Sequence, residues 1–303
     1  MEPYTIKTIG QYHQALGLTK PEHPLVSVIS LDEFKPPEGN SRISVVFDFY
    51  IISLKKNLEG SINYTYGQQP YDFDEGVMFF ISPKQVFSFD ADHDFKSSGW
   101  MLLVHPDFLW STPLAKTIRQ YEFFDYSTNE ALFLSKKEEA TIGGIVQLIK
   151  QEYHANIDKF SQGLIVAQIE LLLQYCDRFY NRQFLTRKIS SHQVLNRVEE
   201  TLDKYLNSND LVKKGLPTVN FIAEALNISP TYLSALLKVL TGQSTQQHIH
   251  EKLIEKAKEK LSVTGLSISE IAYELGFEHP QSFSKLFKSK TNLSPLEFRA
   301  SFN

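Results

Sequence analysis

One pattern of apolar and polar positions occurs twice near the end of this chain. The first copy, residues 222–238, reads Ile-Ala-x-x-Leu-Asn-Ile and, after three more residues, Tyr-Leu-Ser-Ala-Leu-Leu-Lys. The second copy, residues 271–288, reads Ile-Ala-x-x-Leu-Gly-Phe and, after four more residues, Ser-Phe-Ser-Lys-Leu-Phe-Lys. Two short amphipathic helices joined by a turn, repeated in this way, predict two helix-turn-helix units in one all-α domain.

Each copy carries turn and capping residues where its two helices meet. Asn227 and Gly276 occupy the turn, and both residue types adopt the left-handed backbone conformation more readily than most. Ser229 offers the hydroxyl of an N-cap residue, and Pro230 follows at the first helical position, where its missing N–H is no loss. Pro280 has the comparable position in the second copy. These residues predict where each second helix begins.

The second helix of each copy presents a polar face near its N-terminal end. Apolar periodicity assigns these positions to the core: Leu233, Leu236, Leu237, Leu240, Phe283, Leu286 and Phe287. The residues left outward are the candidates for contact with DNA: Pro230, Thr231, Tyr232, Ala235, Lys238, His279, Pro280, Gln281, Ser282, Lys285 and Lys288.

Residue chemistry divides these candidates by role. Gln281 can pair with adenine and Lys285 with guanine, so both are assigned to base edges. Lys238 and Lys288 lie a turn further along their helices and suit phosphate contact. Ala235 offers only a methyl group, and we therefore expect the first copy to read sequence less sharply than the second.

The net charge of −4 has to be divided along the chain before it can be interpreted. Residues 190–303 contain 13 Lys and Arg against 12 Asp and Glu, so the acidity lies in the preceding residues. Phosphate contacts supply most non-specific affinity for DNA, and a near-neutral region gives little support for such affinity. What matters is whether the positive charges of this region gather on one face.

Cysteine content and hydropathy indicate the compartment. Cys176 is the only cysteine, which excludes internal disulfides and thiolate-rich metal sites and fits a reducing environment. No apolar run is long enough for a membrane span, and the N-terminus lacks the basic and apolar regions of a secretion signal. We therefore expect a cytoplasmic protein with no membrane partner and no cofactor.

The first 134 residues have the character of β-structure. Short runs rich in β-branched and aromatic residues are bounded by Gly, Pro, Asp or Ser, and they fall at residues 43–54, 61–66, 76–81, 85–89 and 99–104. Several short strands with punctuated turns favour a sandwich or a barrel.

Helical periodicity replaces this pattern from residue 135 onward. Ser135 and Glu138 have the spacing of a capping box, and a second helix is predicted over 161–182. The apolar stripe on that second helix is wider than one neighbour would cover. We therefore expect the helices of 135–184 to form a homodimer.

The remaining boundaries follow from polarity and periodicity. Residues 185–192 are polar and lack periodicity, so we place a linker there. The chain is then predicted to be helical over most of 193–303, with amphipathic helices at 194–206 and 245–261. The expected fold is α+β in two domains, 1–184 and 193–303.

The second copy, followed by Ser-Pro-Leu-Glu-Phe-Arg at 294–299, resembles the C-terminal signature of the AraC/XylS family of bacterial transcription regulators. The first copy is similar as well, and the resemblance covers about residues 193–300. It departs at Ala235, where many members carry a basic or polar contact residue.

The resemblance implies a seven-helix domain that binds double-stranded promoter DNA, with a long helix joining its two units. It further implies that residues 1–134 form a cupin-like barrel and that the protein activates transcription through RNA polymerase. We therefore expect a sequence-specific regulator, controlled through its N-terminal domain, and not an enzyme.

One alternative is a cupin-type metal enzyme fused to a DNA-binding module. Such metal sites need closely spaced His and Glu on adjacent strands. The N-terminal half offers no His-x-His pair, and His93 stands among aspartates, which is typical of an acidic turn. We therefore expect no catalytic residue and no metal site.

A second alternative concerns the signal that controls the regulator. Several aromatic residues either line a pocket for a small-molecule effector or simply fill the core: Phe47, Phe49, Tyr64, Tyr66, Phe79, Phe87, Phe89 and Trp100. A regulator that senses no small molecule, and is controlled by a protein partner or by its own abundance, remains an alternative to one controlled by an effector; any ligand-binding residues are unknown at this point.

Overall fold

The computed structural model describes residues 3–33, 42–59, 76–90, 96–127, 130–156, 158–186, 188–208 and 210–301. The chain divides into an N-terminal unit, Met1–Gln183, and a C-terminal unit, Phe184–Asn303. No described helix is long and apolar enough to cross a membrane.

Two β-sheets make up most of the N-terminal unit. Their strands are β1 (Tyr4–Ile6), β2 (Val26–Ser30), β3 (Arg42–Phe47), β4 (Tyr50–Glu59), β5 (Val77–Ile81), β6 (Val86–Asp90), β7 (Lys96–Val104) and β8 (Leu132–Phe133). One sheet has the order β1-β3-β6, and β1 runs parallel to β3. The other has the order β2-β7-β4-β5-β8 and is antiparallel throughout. Helices α1 (Ile9–Ala15) and α2 (Leu114–Thr117) are short.

The two sheets share an apolar core. It joins residues of the three-stranded sheet to one residue from each of four strands of the five-stranded sheet: Ile6, Val45, Phe47, Ile29, Ile51, Ile81 and Leu103. Because alternate side chains of a strand lie on one face, Val45 and Phe47 of β3 both enter this cluster while Val46 between them does not. Each large apolar side chain buried in this way contributes roughly 1.5–3 kcal/mol to stability.

The N-terminal predictions are confirmed only at the level of a β-rich unit. Residues 43–54, predicted as one strand, form two, because the chain bends at Asp48 and crosses from one sheet to the other. The Asp48 N–H donates to Ile6 O, which fixes the bend. The predicted strand at 61–66 lies outside the described residues. Within the described ranges the two sheets remain separate, so the cupin-like barrel is not confirmed.

Most of the aromatic residues singled out above are part of the core. Those whose side chains are buried are Phe47, Phe49, Phe79 and Trp100. Phe87 is half-buried and packs against the apolar core shared by the two sheets. Tyr64 and Tyr66 lie outside the described residues.

Two long helices follow the sheets. Helix α3 (Lys136–Tyr153) begins with the predicted capping box, in which the Ser135 and Glu138 side chains each accept from the other residue's backbone N–H. Helix α4 (Ser161–Thr186) runs longer than predicted. Its Gln183 accepts a hydrogen bond from Phe133 N over 2.9 Å and donates one to Ala131 O over 3.2 Å. These bonds attach the end of α4 to β8.

The C-terminal unit is helical over most of its length. Its helices are α5 (Lys188–Leu206), α6 (Asp210–Lys214), α7 (Val219–Leu226), α8 (Pro230–Thr241), α9 (Thr245–Val263), α10 (Ile268–Glu274), α11 (Pro280–Thr291) and α12 (Pro295–Ala300). Eight helices are thus described where the resemblance implies seven. The predicted linker at 185–192 is helical on both sides of residue 187, which lies outside the described residues.

Gly99 should be the glycine least tolerant of substitution in the N-terminal unit. Its φ is +128°, and a Cβ there would lie 2.1 Å from Leu54 O on the adjacent strand. We expect Gly99→Ala to lower the free energy of unfolding by about 3 kcal/mol. Urea unfolding followed by tryptophan fluorescence measures this, because the only two tryptophans, Trp100 and Trp110, lie in this unit.

Gly143→Ala is the matched control in the same unit. Gly143 lies within α3, and a Cβ there meets no atom within 4 Å. We expect this variant to gain about 0.5–1 kcal/mol, because alanine restricts the unfolded chain. Equal unfolding midpoints for the two variants would contradict the close approach of β4 and β7 at Gly99.

Candidate nucleic-acid interface

Each helix-turn-helix copy has its own apolar core, and helix α9 belongs to both. The first core contains Ile249 and Leu253 from the N-terminal half of α9, together with side chains of α5, α7 and α8. The second contains Ile254, Ala257 and Leu261 from its C-terminal half, with side chains of α10 and α11. Because one continuous helix is packed into both cores, it sets the spacing between α8 and α11.

In the first copy, the predicted turn residues adopt the predicted conformations. Asn227 has a φ of +58° in the left-handed region and ends α7. Ser229 is the N-cap of α8, and its Oγ accepts from Tyr232 N over 3.2 Å. Pro230 follows at the first helical position. Helix α8 therefore begins where the sequence pattern predicts.

In the second copy, the turn depends on contact with a distant segment. Gly276 has a φ of +78°, and a Cβ there would lie 2.8 Å from Leu211 O and 3.0 Å from Gly215 C. The turn before α11 thus packs directly on the backbone at the end of α6. Leu216, next in the chain, packs against both cores. This contact connects the two copies through a second route besides α9.

Helix α11 presents the polar face predicted for it. Phe283 and Phe287 are fully buried on one side. The exposed side carries most of the predicted contact residues, and its exposed members are Gln281, Ser282, Lys285 and Lys288, with His279 just before the helix. Pro280 is half-buried at the first helical position. The structure therefore brings the second-copy candidates together on one surface.

Helix α8 departs from the prediction at one residue. Tyr232, predicted to face outward, is 4% exposed. Its ring lies 5.1 Å from that of Phe184, the first residue of the C-terminal unit, in an edge-to-face arrangement. Burial raises the pKa of the Tyr232 hydroxyl. The prediction that Tyr232 faces outward is wrong, because the pattern within one helix gives no sign of a partner far away in the chain.

The other first-copy candidates differ in exposure. Pro230 and Lys238 are exposed, whereas Thr231 and Ala235 are half-buried. Leu240, predicted to lie inward, is half-buried as well. The accessible surface of α8 is therefore less polar than that of α11.

The lysines of α9 and α11 have different surroundings. On α9, Lys252 lies 3.4 Å from Asp203 of α5, and Lys260 lies 2.6 Å from Glu274 of α10. On α11, the exposed residues Lys285, Lys288 and Lys290 form no ion pair with any described carboxylate. Lys252 and Lys260 therefore pair α9 with neighbouring helices, while the charges of α11 stay available to a ligand.

Two residues near this surface were not anticipated. The pKa of His250 on α9 is lowered, first by burial and then by the charge of Lys290. Lys290 thus adds a positive charge beside α9, and its position two residues after Lys288 was the signal available in the sequence. His250 gave no such signal, because its proximity to α11 is tertiary.

The described residues hold no group of three or more His, Cys, Asp or Glu side chains that could bind a metal ion. His93 lies outside the described residues. Cys176 is fully buried, and burial raises the pKa of its thiol. A buried thiol of this kind is a poor nucleophile.

Comparisons with known proteins fit this geometry. A family model described as a helix-turn-helix domain matches residues 222–301. An uncharacterized HTH-type transcriptional regulator in the cgkA 5′ region of Pseudoalteromonas carrageenovora is 30% identical over 116 residues, which are 38% of this chain and 67% of that protein. The uncharacterized transcriptional regulatory protein YesN of Bacillus subtilis is 38% identical over 78 residues, 25% of this chain and 21% of its own length.

A third relative is similar over most of both chains. The Msm operon regulatory protein of Streptococcus mutans is 23% identical over 280 residues, covering 89% of this chain and 92% of its own length. The similarity therefore extends well beyond the helix-turn-helix copies.

Gly276→Ala should destabilise the C-terminal unit selectively. The new Cβ would meet backbone atoms of residues 211 and 215, and the positive φ disfavours any L side chain. We expect a loss of about 2–3 kcal/mol, measured by calorimetry and far-ultraviolet circular dichroism.

Gly265→Ala is the control, because a Cβ at that position meets no atom within 4 Å. It should change stability by no more than about 0.5 kcal/mol. The tryptophan fluorescence transition of the N-terminal unit should stay unchanged in both variants. A Gly276→Ala protein as stable as Gly265→Ala would show that the turn does not pack against α6.

Proposed function

We propose a DNA-binding mode for this chain, which belongs to the AraC/XylS family of DNA-binding transcriptional regulators. Helices α8 and α11 insert into successive major grooves of a promoter. In this proposal the N-terminal unit controls how the DNA-binding unit is presented to the promoter. The protein acts as an activator and contacts RNA polymerase, as the family resemblance implies. If the protein is an activator, a reporter gene behind its target promoter should be expressed less in a strain that lacks the protein.

The exposed polar face of α11 is the observation that carries the proposal. Gln281 and Lys285 lie one helical turn apart on that face, opposite the buried Phe283 and Phe287. Amide and ammonium groups at this spacing suit the acceptor and donor pattern of neighbouring bases in a major groove. Lys288 and Lys290 follow toward the C-terminal end, where they suit phosphates.

The two helices contribute unequally in this proposal. Helix α8 offers Lys238 as its exposed cation, and Ala235 gives only a methyl contact. Helix α11 carries three exposed lysines and an exposed glutamine. Since bidentate side chains supply most base discrimination, we assign sequence selectivity mainly to α11. Helix α8 then contributes phosphate contacts and a steric fit to the groove.

Dimerisation through α3 and α4 is the second part of the proposal. Leu164 and Leu171 on α4 are 50% and 43% exposed, and Leu148 on α3 is 49% exposed. Leu164 and Leu171 are seven residues apart and therefore lie on the same side of the helix. A second copy of the chain would remove this stripe from water and place two DNA-binding units on paired half-sites.

Substitution of the polar face of α11 tests the DNA-reading role. We expect Gln281→Ala or Lys285→Ala to weaken binding to a selected genomic fragment by about 1–3 kcal/mol, because each loses a contact to a base edge. Binding to scrambled DNA of the same length should change little. Fluorescence anisotropy at several salt concentrations measures both affinities.

Lys137→Ala is the matched control, since Lys137 is exposed on α3 in the N-terminal unit. Like Lys285→Ala, it removes one positive charge, and it should leave the affinities for selected and scrambled DNA unchanged. Equal losses on selected and scrambled DNA for Gln281→Ala and Lys285→Ala would mean that these residues contact only phosphates.

The dimer is tested by placing charge on the α4 stripe. Leu164→Glu combined with Leu171→Glu should convert the dimer to a monomer at micromolar concentration, because two carboxylates would lie in an apolar interface. Light scattering after size exclusion measures the mass. Gln151→Glu, at an exposed position of α3, is the control for added charge. A wild-type protein that is monomeric with and without DNA would refute this part of the proposal.

A further inference from the structure

A cleft in the N-terminal unit lies apart from the core shared by the two sheets. It has a volume of about 310 Å³, within the range of small-molecule sites. Four segments form its walls: residues 23–26, the turn at 107–108, the last turn of α3, and the first turns of α4. None of the residues of the shared apolar core lines it. The cleft is therefore a separate feature of this unit.

The walls combine apolar surface with hydrogen-bond acceptors. Leu25, Val26, Phe108 and Ile165 supply the apolar part. The acidic residues Asp107, Glu152 and Asp158 line the same cleft, and the described lining residues include no Lys or Arg. A ligand that fits these walls needs an apolar body and a positively charged group.

The neighbouring polar groups do not neutralise this acidity. His23 Nδ1 accepts a hydrogen bond from Leu25 N over 3.1 Å, so this nitrogen carries no proton. Burial lowers the pKa of His23, which keeps the ring neutral. Gln162 Nε2 donates to Phe108 O over 2.7 Å, and its amide oxygen is left as another acceptor.

The carboxylates differ in how far they are already bonded. Asp158 Oδ1 accepts from Phe160 N and Ser161 N, so that carboxylate is partly committed to the start of α4. Asp107 Oδ2 lies 3.6 Å from His105 Nδ1. The Glu152 carboxylate makes no hydrogen bond or ion pair with any other described residue. Asp107 and Glu152 are therefore the better placed to bind an added cation.

The rim of the cleft is held in place without a ligand. Glu22 N donates to the Tyr153 hydroxyl over 2.8 Å, and the Glu22 carboxylate lies 2.7 Å from His154 Nδ1. The His23 ring contacts Phe108 edge to face at 5.2 Å. These contacts join residues 22–23 to the end of α3 and to the turn at 107–108. A preformed cleft loses less conformational entropy on binding.

We propose that this cleft binds a small organic ammonium ion with an apolar body. The ammonium group is placed between Asp107 and Glu152, and the apolar body lies against Phe108 and Ile165. An aromatic or branched aliphatic monoamine has this chemistry. A role for such a ligand as the effector rests on the function proposed above, whereas binding itself does not.

Three probes of nearly the same shape test the charge requirement. They are 2-phenylethylamine, 2-phenylethanol and 3-phenylpropanoate, titrated into the full chain by calorimetry. We expect the amine to bind at least about fivefold more tightly than the alcohol, since charge-assisted hydrogen bonds are the stronger ones. The carboxylate should show no binding.

Variants test the position of the site. Asp107→Asn combined with Glu152→Gln should weaken amine binding by about fivefold or more and leave binding of the alcohol unchanged. Glu255→Gln removes an exposed carboxylate of the C-terminal unit and is the control. Equal affinity for the three probes, no binding of the amine at millimolar concentrations, or equal affinity in the double variant and the control would overturn the proposal.

Anisotropy on the selected DNA fragment, with and without 2-phenylethylamine, then tests the effector role. A change of affinity that disappears in the double variant supports it. Unchanged affinity refutes the effector role while the binding site stands. Absence of any preference for the selected fragment refutes the proposed function alone, because the calorimetric result does not depend on DNA.

Discussion

The packing of helix α9 into two cores is the constraint on which the DNA-binding unit depends. Its N-terminal half is buried with the first helix-turn-helix copy and its C-terminal half with the second. A helix of 19 residues spans about 28 Å at about 1.5 Å per residue. This length is comparable with one turn of B-DNA, about 34 Å, which separates successive major grooves on one face. The helix therefore acts as a rigid spacer, and the contact of Gly276 with residues 211–215 supplements it.

The distribution of charge explains how a near-neutral unit can present a basic surface. Lys252 and Lys260 on α9 are paired with carboxylates of neighbouring helices, and Lys256 is paired with Glu259 of α9 itself, so these three charges are largely compensated locally. The exposed lysines of α11 form no ion pair with any described carboxylate, and Lys285 lies on the face opposite the buried Phe283 and Phe287. Net charge therefore describes this unit poorly, because the position of each charge matters more than the sum. Weak non-specific affinity is compatible with selective binding when base contacts supply the difference.

Much of the helical half could be predicted because its signals are local. Ser135 and Ser229 each define a helix start by accepting a backbone N–H three residues further on, and both N-caps are found in the structure. The left-handed turns at Asn227 and Gly276 are a property of residue type. The β-rich half was harder to predict from the sequence, because strand pairing joins residues far apart in the chain. The bend at Asp48 that sends β3 and β4 into different sheets has no distinctive sequence pattern.

What the sequence determined by itself is the presence of two helix-turn-helix copies, their register and the polar face of α11. Periodicity and capping depend on neighbours within about one helical turn, and these are visible in the chain. Tertiary structure alone decided that Tyr232 is covered by Phe184, that Gly276 packs on the end of α6, and that acidic residues of α3 and the 107–108 turn share a cleft. These contacts join residues separated by some 45 to 65 positions. Their free energy comes from burial against a distant partner, and local periodicity gives no information about which partner that is.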